Sequence, residues 1–138
     1  MQLVMQADKQ AAEVQRDFSS QFPFLKIEFF RKDAAANTFR KQPYHLPLSD
    51  IAPGHFKPGE MEVNDKMTVK EVEDILFTRF GLLAQVFRKS GKLWLETTMT
   101  DNWTLKQQND HAEEIAIAFR PKTDDTDMDY DLDRDADR

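Results

Sequence analysis

The sequence predicts an α+β fold, in which a small mixed sheet of about four to five strands carries helices on one face. Three observations support this prediction: helical spacing of apolar residues in some segments, alternation of apolar and polar residues in others, and a likeness between the two halves of the chain. With 138 residues, 40% of them apolar, the chain is long enough to bury a core. We therefore expect one domain over residues 1–123.

The first helix–strand unit is predicted over residues 7–32. Apolar residues recur at helical spacing from Ala7 to Phe18, and Pro23 ends the helix. Residues 24–31 then alternate between apolar and charged side chains, which indicates a strand with one face buried.

The middle of the chain, residues 33–59, gives the weakest signal because four of the six prolines interrupt it. Short strands near Tyr44–Leu48 and Met61–Val63 fit the sequence. Long stretches without structure are uncommon in compact domains, so we expect some further strand here.

The second helix–strand unit is predicted over residues 68–89. Thr68 and Glu71 have the spacing of a capping box, in which each side chain binds the backbone amide of the other residue. An apolar stripe follows, and Gly81 provides a stop.

A third helix is predicted to begin at Thr104, where Gln107 repeats the capping-box spacing, and to reach about Ala112. Residues 114–119 fit either a continuation of this helix or a strand, and the pattern does not decide between the two.

The two predicted units are alike in sequence. An offset of 58 residues aligns their helices, and an offset of 57 after Pro23 aligns their strands. Seven identities fall within about 22 aligned positions, whereas ordinary composition gives about one in twenty by chance. A shared pattern explains the apolar matches, but it does not explain why Phe30-Arg31-Lys32 matches Phe87-Arg88-Lys89. We interpret the likeness as an internal duplication.

Three segments of the second half, Gln85–Gly91, Trp94–Thr98 and Trp103–Asn109, resemble a family of uncharacterised small cytoplasmic proteins of Bacteroidota. The resemblance is strongest over residues 67–109, and Phe22–Phe30 is similar to the family's N-terminal unit. It implies a bacterial, cytoplasmic setting and carries over no functional residue.

Composition and motifs argue against catalysis, a cofactor or a metal site. The chain has no cysteine, and its three histidines are not paired at metal-binding spacing. It contains neither a phosphate-binding loop nor a nucleophile motif. The nearest catalytic candidates are Glu96, Asp101 and His111, although their spacing does not require them to meet. We expect no catalytic, cofactor-binding or metal-binding residues.

The net charge of −6 resides in residues 124–138, which contain eight Asp and two Arg. This composition is typical of a disordered acidic tail, and the Gly and Glu of an EF-hand loop are missing from it. The sequence has no apolar stretch long enough to span a membrane, and it has no cysteine. We therefore expect a cytoplasmic protein without a membrane partner.

A predicted hairpin provides the candidate binding surface. Residues 82–89 and 92–99 alternate as strands around a two-residue loop, Ser90-Gly91. This register places an aromatic pair and two lysines on one side of the sheet: Phe87 opposite Trp94, and Lys89 opposite Lys92. The duplication adds Phe30 and Lys32 to the same side.

Three interpretations of this surface remain open. The leading one is a non-enzymatic module that holds a partner protein, or a second copy of itself, through this face or an edge strand. The alternative is a nucleic-acid-binding protein that stacks bases on Phe87 and Trp94, although the neutral body and acidic tail disfavour it. In the third, a helix covers both aromatic side chains and only the lysines are exposed.

Overall fold

The computed structural model describes residues 1–118, and their fold is α+β, as predicted. The strands are β1 (Gln2–Met5), β2 (Leu25–Asp33), β3 (Thr38–Lys41), β4 (Gly59–Glu62), β5 (Leu83–Ser90) and β6 (Leu93–Glu96). The helices are α1 (Ala11–Gln21), α2 (Leu48–Ile51), α3 (Val69–Phe80) and α4 (Leu105–Ala118), and a 3₁₀ turn spans Thr98–Thr100. The acidic tail predicted at 124–138 lies outside the described residues.

The strands form two antiparallel sheets, whereas the sequence predicts one mixed sheet. The larger sheet has the order β3-β2-β5-β6, and the smaller sheet pairs β1 with β4. Both β2–β3 and β5–β6 are hairpins, and the two hairpins meet through the antiparallel pair β2–β5. All three strand pairs of the four-stranded sheet are antiparallel, so it contains no parallel crossover.

Two predicted helix starts are confirmed, together with their hydrogen bonds. At α3, the Thr68 hydroxyl accepts from the Glu71 amide at 3.1 Å, and the Glu71 carboxylate accepts from the Thr68 amide at 2.8 Å. Thr104 and Gln107 make the same reciprocal pair of bonds at α4. This helix continues to Ala118, so residues 114–118 are helical.

The N-terminal half departs most from the sequence prediction. The first helix begins at Ala11 rather than near Ala7, and the residues before it form β1. The strand expected over Tyr44–Leu48 is wrong: α2 begins at Leu48, and the further strand of this region is β3. The two buried residues of α2, Leu48 and Ile51, are three positions apart, which suits a helical turn and not a strand.

The two halves of the described chain have the same order of elements, β1-α1-β2-β3-α2 and β4-α3-β5-β6-α4. Backbone hydrogen bonds recur at matching positions. The Ala11 amide donates to the Leu46 carbonyl, and the Val69 amide donates to the Trp103 carbonyl, both at about 3 Å. These donors are 58 positions apart and these acceptors 57 positions apart.

Strand register follows the same relation. Glu28 lies opposite Gln85 in the β2–β5 pair, and Leu3 lies opposite Met61 in the β1–β4 pair. Each of these pairs consists of two residues that the same sequence offsets relate, so each marks the centre of its strand pair. Both strand pairs are therefore centred on residues that the sequence offsets relate, which is the register expected of two halves related by a two-fold axis.

Within residues 1–118, one buried core contains residues of both halves. Helix α1 packs against β2 and helix α3 against β5. We call the core-facing side of the larger sheet, which includes Leu25, Ile27, Phe29 and Val86, the inner face. The opposite side is the outer face.

Candidate functional site

The candidate binding residues belong mainly to the outer face of the larger sheet. Strand alternation and register place lysines, aromatic residues, two glutamates, a glutamine and a leucine there. They are Lys26, Glu28, Phe30 and Lys32 on β2, Phe39 and Lys41 on β3, Leu83, Gln85, Phe87 and Lys89 on β5, and Trp94 and Glu96 on β6.

Three of the predicted aromatic residues lie close together on this face. Phe30 and Phe87 occupy equivalent positions in the two halves, and their ring centroids are 6.4 Å apart. The Lys26 ammonium lies 5.9 Å from the ring centroid of Phe87 and 4.7 Å from that of Trp94, within cation–π distance. All three rings are half-buried. Sequence reasoning missed Lys26 because only the β2–β5 pairing brings it beside the hairpin.

The lysines of the predicted hairpin separate. Ser90 pairs with Leu93, so the turn lies one residue further along the chain than predicted. Lys89 lies opposite Trp94, its ammonium 6.0 Å from the ring centroid, and the predicted pairing of Lys89 with Lys92 is wrong. Lys92 is exposed in the turn and is not part of the sheet.

Lys32 lies at the other side of the outer face. Its partner across the hairpin is Phe39 of β3, which is 62% exposed. The sequence indicates Lys32 only through the duplication. It predicts no strand at residues 38–41, so Phe39 is not among the predicted site residues. Lys32 and Lys89 therefore lie on different strands, at opposite sides of the aromatic group formed by Phe30 and Phe87.

A buried carboxylate lies at the centre of the outer face. Glu28 is only 1% exposed, and its carboxylate is 3.0 Å from the Lys26 ammonium and 3.4 Å from the Lys41 ammonium. The Gln15 amide also donates to it, at 3.2 Å. The hydrogen bond with the Tyr44 side chain raises the pKa of Lys41 most, and the negative charge of Glu28 raises it further. This network holds Lys26 in place over the aromatic rings.

The two outer strands of the larger sheet differ in the side chains at their free edges. Strand β3 carries Arg40 and Lys41, and charged side chains of this kind protect an edge against pairing with another chain. Strand β6 carries no cation and no proline. Its Leu93 is 67% exposed and its Leu95 is 40% exposed, and Met99, shortly after the strand, is 94% exposed.

One partly buried carboxyl group lies beside β5 on the inner side. The Glu73 carboxylate accepts from the Val86 amide at 2.9 Å, and burial, with a smaller effect from Asp101, raises the pKa of Glu73 to about 7. Its equivalent in the first half is Gln15, whose neutral amide donates to the Ile27 carbonyl at 2.8 Å. In both halves a helix side chain therefore binds a strand backbone group that no neighbouring strand reaches.

The catalytic candidates do not form a linked group. His111 packs edge-on against Trp103, with ring centroids 5.6 Å apart. In the same part of the chain, no three His, Asp or Glu side chains are placed to hold a metal ion. Nor does any described helix have the length and apolar character needed to cross a membrane.

Comparison of the chain with protein-family models, curated proteins and solved structures found no match. The resemblance to proteins of Bacteroidota stays a prediction.

Proposed function

We propose that this chain is a non-enzymatic protein-binding module that self-associates through the free edge of strand β6. The observation that carries the proposal is the exposure of Leu93 and Leu95 on an edge strand that has neither lysine nor proline. Proteins usually protect such edges, because the unpaired backbone groups of an edge strand accept another strand.

A second copy of the chain is the partner we favour. Antiparallel pairing of two β6 strands about a two-fold axis forms an isologous contact and joins two four-stranded sheets into one. With the axis at Trp94, Leu93 of one copy faces Leu95 of the other on the same side of the sheet. The exposed apolar area of both leucines is then removed from water, which favours association.

The test compares lysine substitutions at the two edges of the sheet. Sedimentation velocity over a range of concentrations is expected to show a dimer for the full chain. Leu95→Lys is expected to weaken dimerisation at least about tenfold, because it buries a charge in the contact. The control Phe39→Lys adds the same charge to β3, where the native residue is 62% exposed, and is expected to leave the dimer unchanged. A chain that is monomeric at every concentration would contradict the proposal.

Nucleic-acid binding on the outer face is the second candidate. Four lysines on that face, namely Lys26, Lys32, Lys41 and Lys89, favour it. Two observations weaken it: Lys26 and Lys41 are already paired with Glu28, and Lys26 lies over the Trp94 ring on which a base would stack. Titration of the chain with a fluorescent single-stranded oligonucleotide at low salt separates the two functions, and we expect no binding.

We further propose that the chain arose by duplication of one β-α-β-β-α unit. The recurring hydrogen bonds and the matching strand register support this origin, which extends the likeness beyond the predicted units 7–32 and 68–89. We also propose the bacterial, cytoplasmic setting that the resemblance implies.

A further inference from the structure

A cleft of about 650 Å³ lies between the end of β2, the segment 51–57 and the end of α3. This volume is within the range of small-molecule sites. The segment is fixed to the helix: the Lys57 amide donates to the Phe80 carbonyl at 3.1 Å, and the His55 carbonyl packs against Gly81. The wall of the cleft is therefore anchored to the core elements.

The cleft exists because α2 is much shorter than its equivalent, α4. The Ile51 amide donates to the Pro47 carbonyl, and the Gln108 amide makes the equivalent bond to the Thr104 carbonyl, so Ile51 and Gln108 correspond. After Ile51 the chain reaches Pro53 and Gly54, which end the helix. The longer helix α4 continues for a further ten residues.

This difference leaves one of two equivalent arginines exposed. In the second half, Arg88 donates to Gln108 at 2.9 Å and lies 5.9 Å from the Trp103 ring centroid. In the first half, the equivalent Arg31 is exposed and lines the cleft together with Ile51. Gln108 therefore accepts a hydrogen bond from Arg88. Its equivalent beside Arg31 is Ile51, whose side chain has no hydrogen-bond acceptor.

The cleft is strongly cationic. Arg31, Lys32 and Lys57 line it with His55, and among the described residues no Asp or Glu lines it. Within residues 1–118, none of these three basic side chains forms an ion pair. Their charges are available to an anion, and the guanidinium fork suits the paired oxygens of a phosphate or carboxylate.

The same cleft has aromatic walls. Phe77, on the last turn of α3, is 57% exposed, and Phe30 and Phe56 also line the space. An exposed phenylalanine ring beside cations can stack against a flat ligand group, and base–aromatic stacking of this kind contributes about 1–3 kcal/mol per base. The two sets of side chains together favour a ligand that has both a negative charge and an aromatic ring.

We propose that this cleft binds a small anion that carries a flat aromatic ring, of the chemical class of a nucleoside monophosphate. The phosphate lies against Arg31 and Lys57, and the base stacks on Phe77. None of the lining residues belongs to β6, so the proposal is independent of self-association.

The experiment titrates the full chain with AMP by isothermal calorimetry, and repeats the titration with adenosine and with inorganic phosphate. AMP is expected to bind at least about tenfold more tightly than either of the others, since it alone uses both sets of side chains. Arg31→Ala and Phe77→Ala are each expected to weaken AMP binding about tenfold or more. Both native side chains are exposed, so circular dichroism should show unchanged folding. The matched control, Lys92→Ala, removes an exposed cation outside the cleft and is expected to change nothing.

Three results would overturn the proposal. The first is the absence of AMP binding, including the case in which an oligonucleotide binds and AMP does not. The second is equal binding of AMP and inorganic phosphate, because the aromatic wall would then have no role. The third is unchanged AMP binding by either cleft variant.

Discussion

The two halves of this protein share a framework but differ in how each one ends. In the second half, α4 continues past its first turn and its Gln108 binds Arg88. In the first half, α2 has one turn, and Arg31 is left exposed beside a cleft. The feature that both halves keep is the first helical turn, whose backbone bonds recur in α2 and α4. Beyond this turn the halves differ: α4 continues along the sheet, whereas the short α2 leaves the cationic cleft open.

The junction between the halves gives the largest expected effect on stability. Gly81 ends α3 with a φ of 73°, and a Cβ atom there would lie 2.2 Å from the His55 carbonyl oxygen. Gly81→Ala combines left-handed strain with a backbone clash, and we expect a loss of roughly 2–5 kcal/mol in the free energy of unfolding, measured in urea.

The control for this substitution is Gly91→Ala in the β5–β6 turn. Gly91 also has a positive φ, 61°, but a Cβ atom there would contact nothing within 4 Å. We expect a loss of about 1–2 kcal/mol from strain alone. Equal losses for the two variants would mean that segment 51–57 is not fixed against α3, and the cleft would then lack a firm wall.

The next largest expected effect is on the pH dependence of stability, and it concerns the equivalent helix residues Glu73 and Gln15. Because the pKa of Glu73 is raised from 4.5 to about 7, folding favours its protonated form. Its contribution to stability is complete below about pH 4.5 and is lost as the pH rises through about 7. Because Glu73 is partly exposed, we expect its ionisation to lower the free energy of unfolding by about 1–3 kcal/mol at pH 8.

Glu73→Gln gives the second half the neutral amide that the first half already has. The variant is expected to be more stable than the native chain at pH 8 and about equally stable at pH 4.5, when urea unfolding is compared at both pH values. Subtracting the two curves removes the contribution of the other titrating groups. The comparison would be contradicted if the variant and native chains showed the same pH dependence.

The smallest effect concerns helix starts. Thr68 caps α3 through its hydroxyl, whereas its equivalent Gln10 makes no side-chain cap bond to α1. Thr68→Ala is therefore expected to cost about 1 kcal/mol, and Gln10→Ala less than about 0.5 kcal/mol, in the same urea experiment. A larger cost at Gln10 would show that α1 depends on an interaction other than backbone pairing.

Features set by neighbouring residues were predictable from the sequence. The capping boxes at Thr68 and Thr104 depend on residues three positions apart, and both are present. The stop at Gly81 is equally local. Strand β1 was not predictable from a local pattern, because its four residues pair with β4, which lies in the other half of the chain.

The candidate site was predictable only in part, for the same reason. Alternation placed Phe87 and Trp94 on one face, and an error of two residues in register preserves that face. The position of Lys26 over Trp94 depends on the β2–β5 pairing, which no local pattern indicates. The cleft is assembled from three distant segments, so its charge and aromatic walls appear only in the folded chain.

Hydrogen–deuterium exchange on the full chain, measured by NMR at several protein concentrations, tests self-association through β6 most directly. If two copies pair at this edge, the outward amides of residues 93–96 become more protected as the concentration rises, while those of residues 38–41 on β3 do not change. Leu95→Lys should remove the concentration dependence. Exchange rates at β6 that are independent of concentration in the native chain would contradict the account.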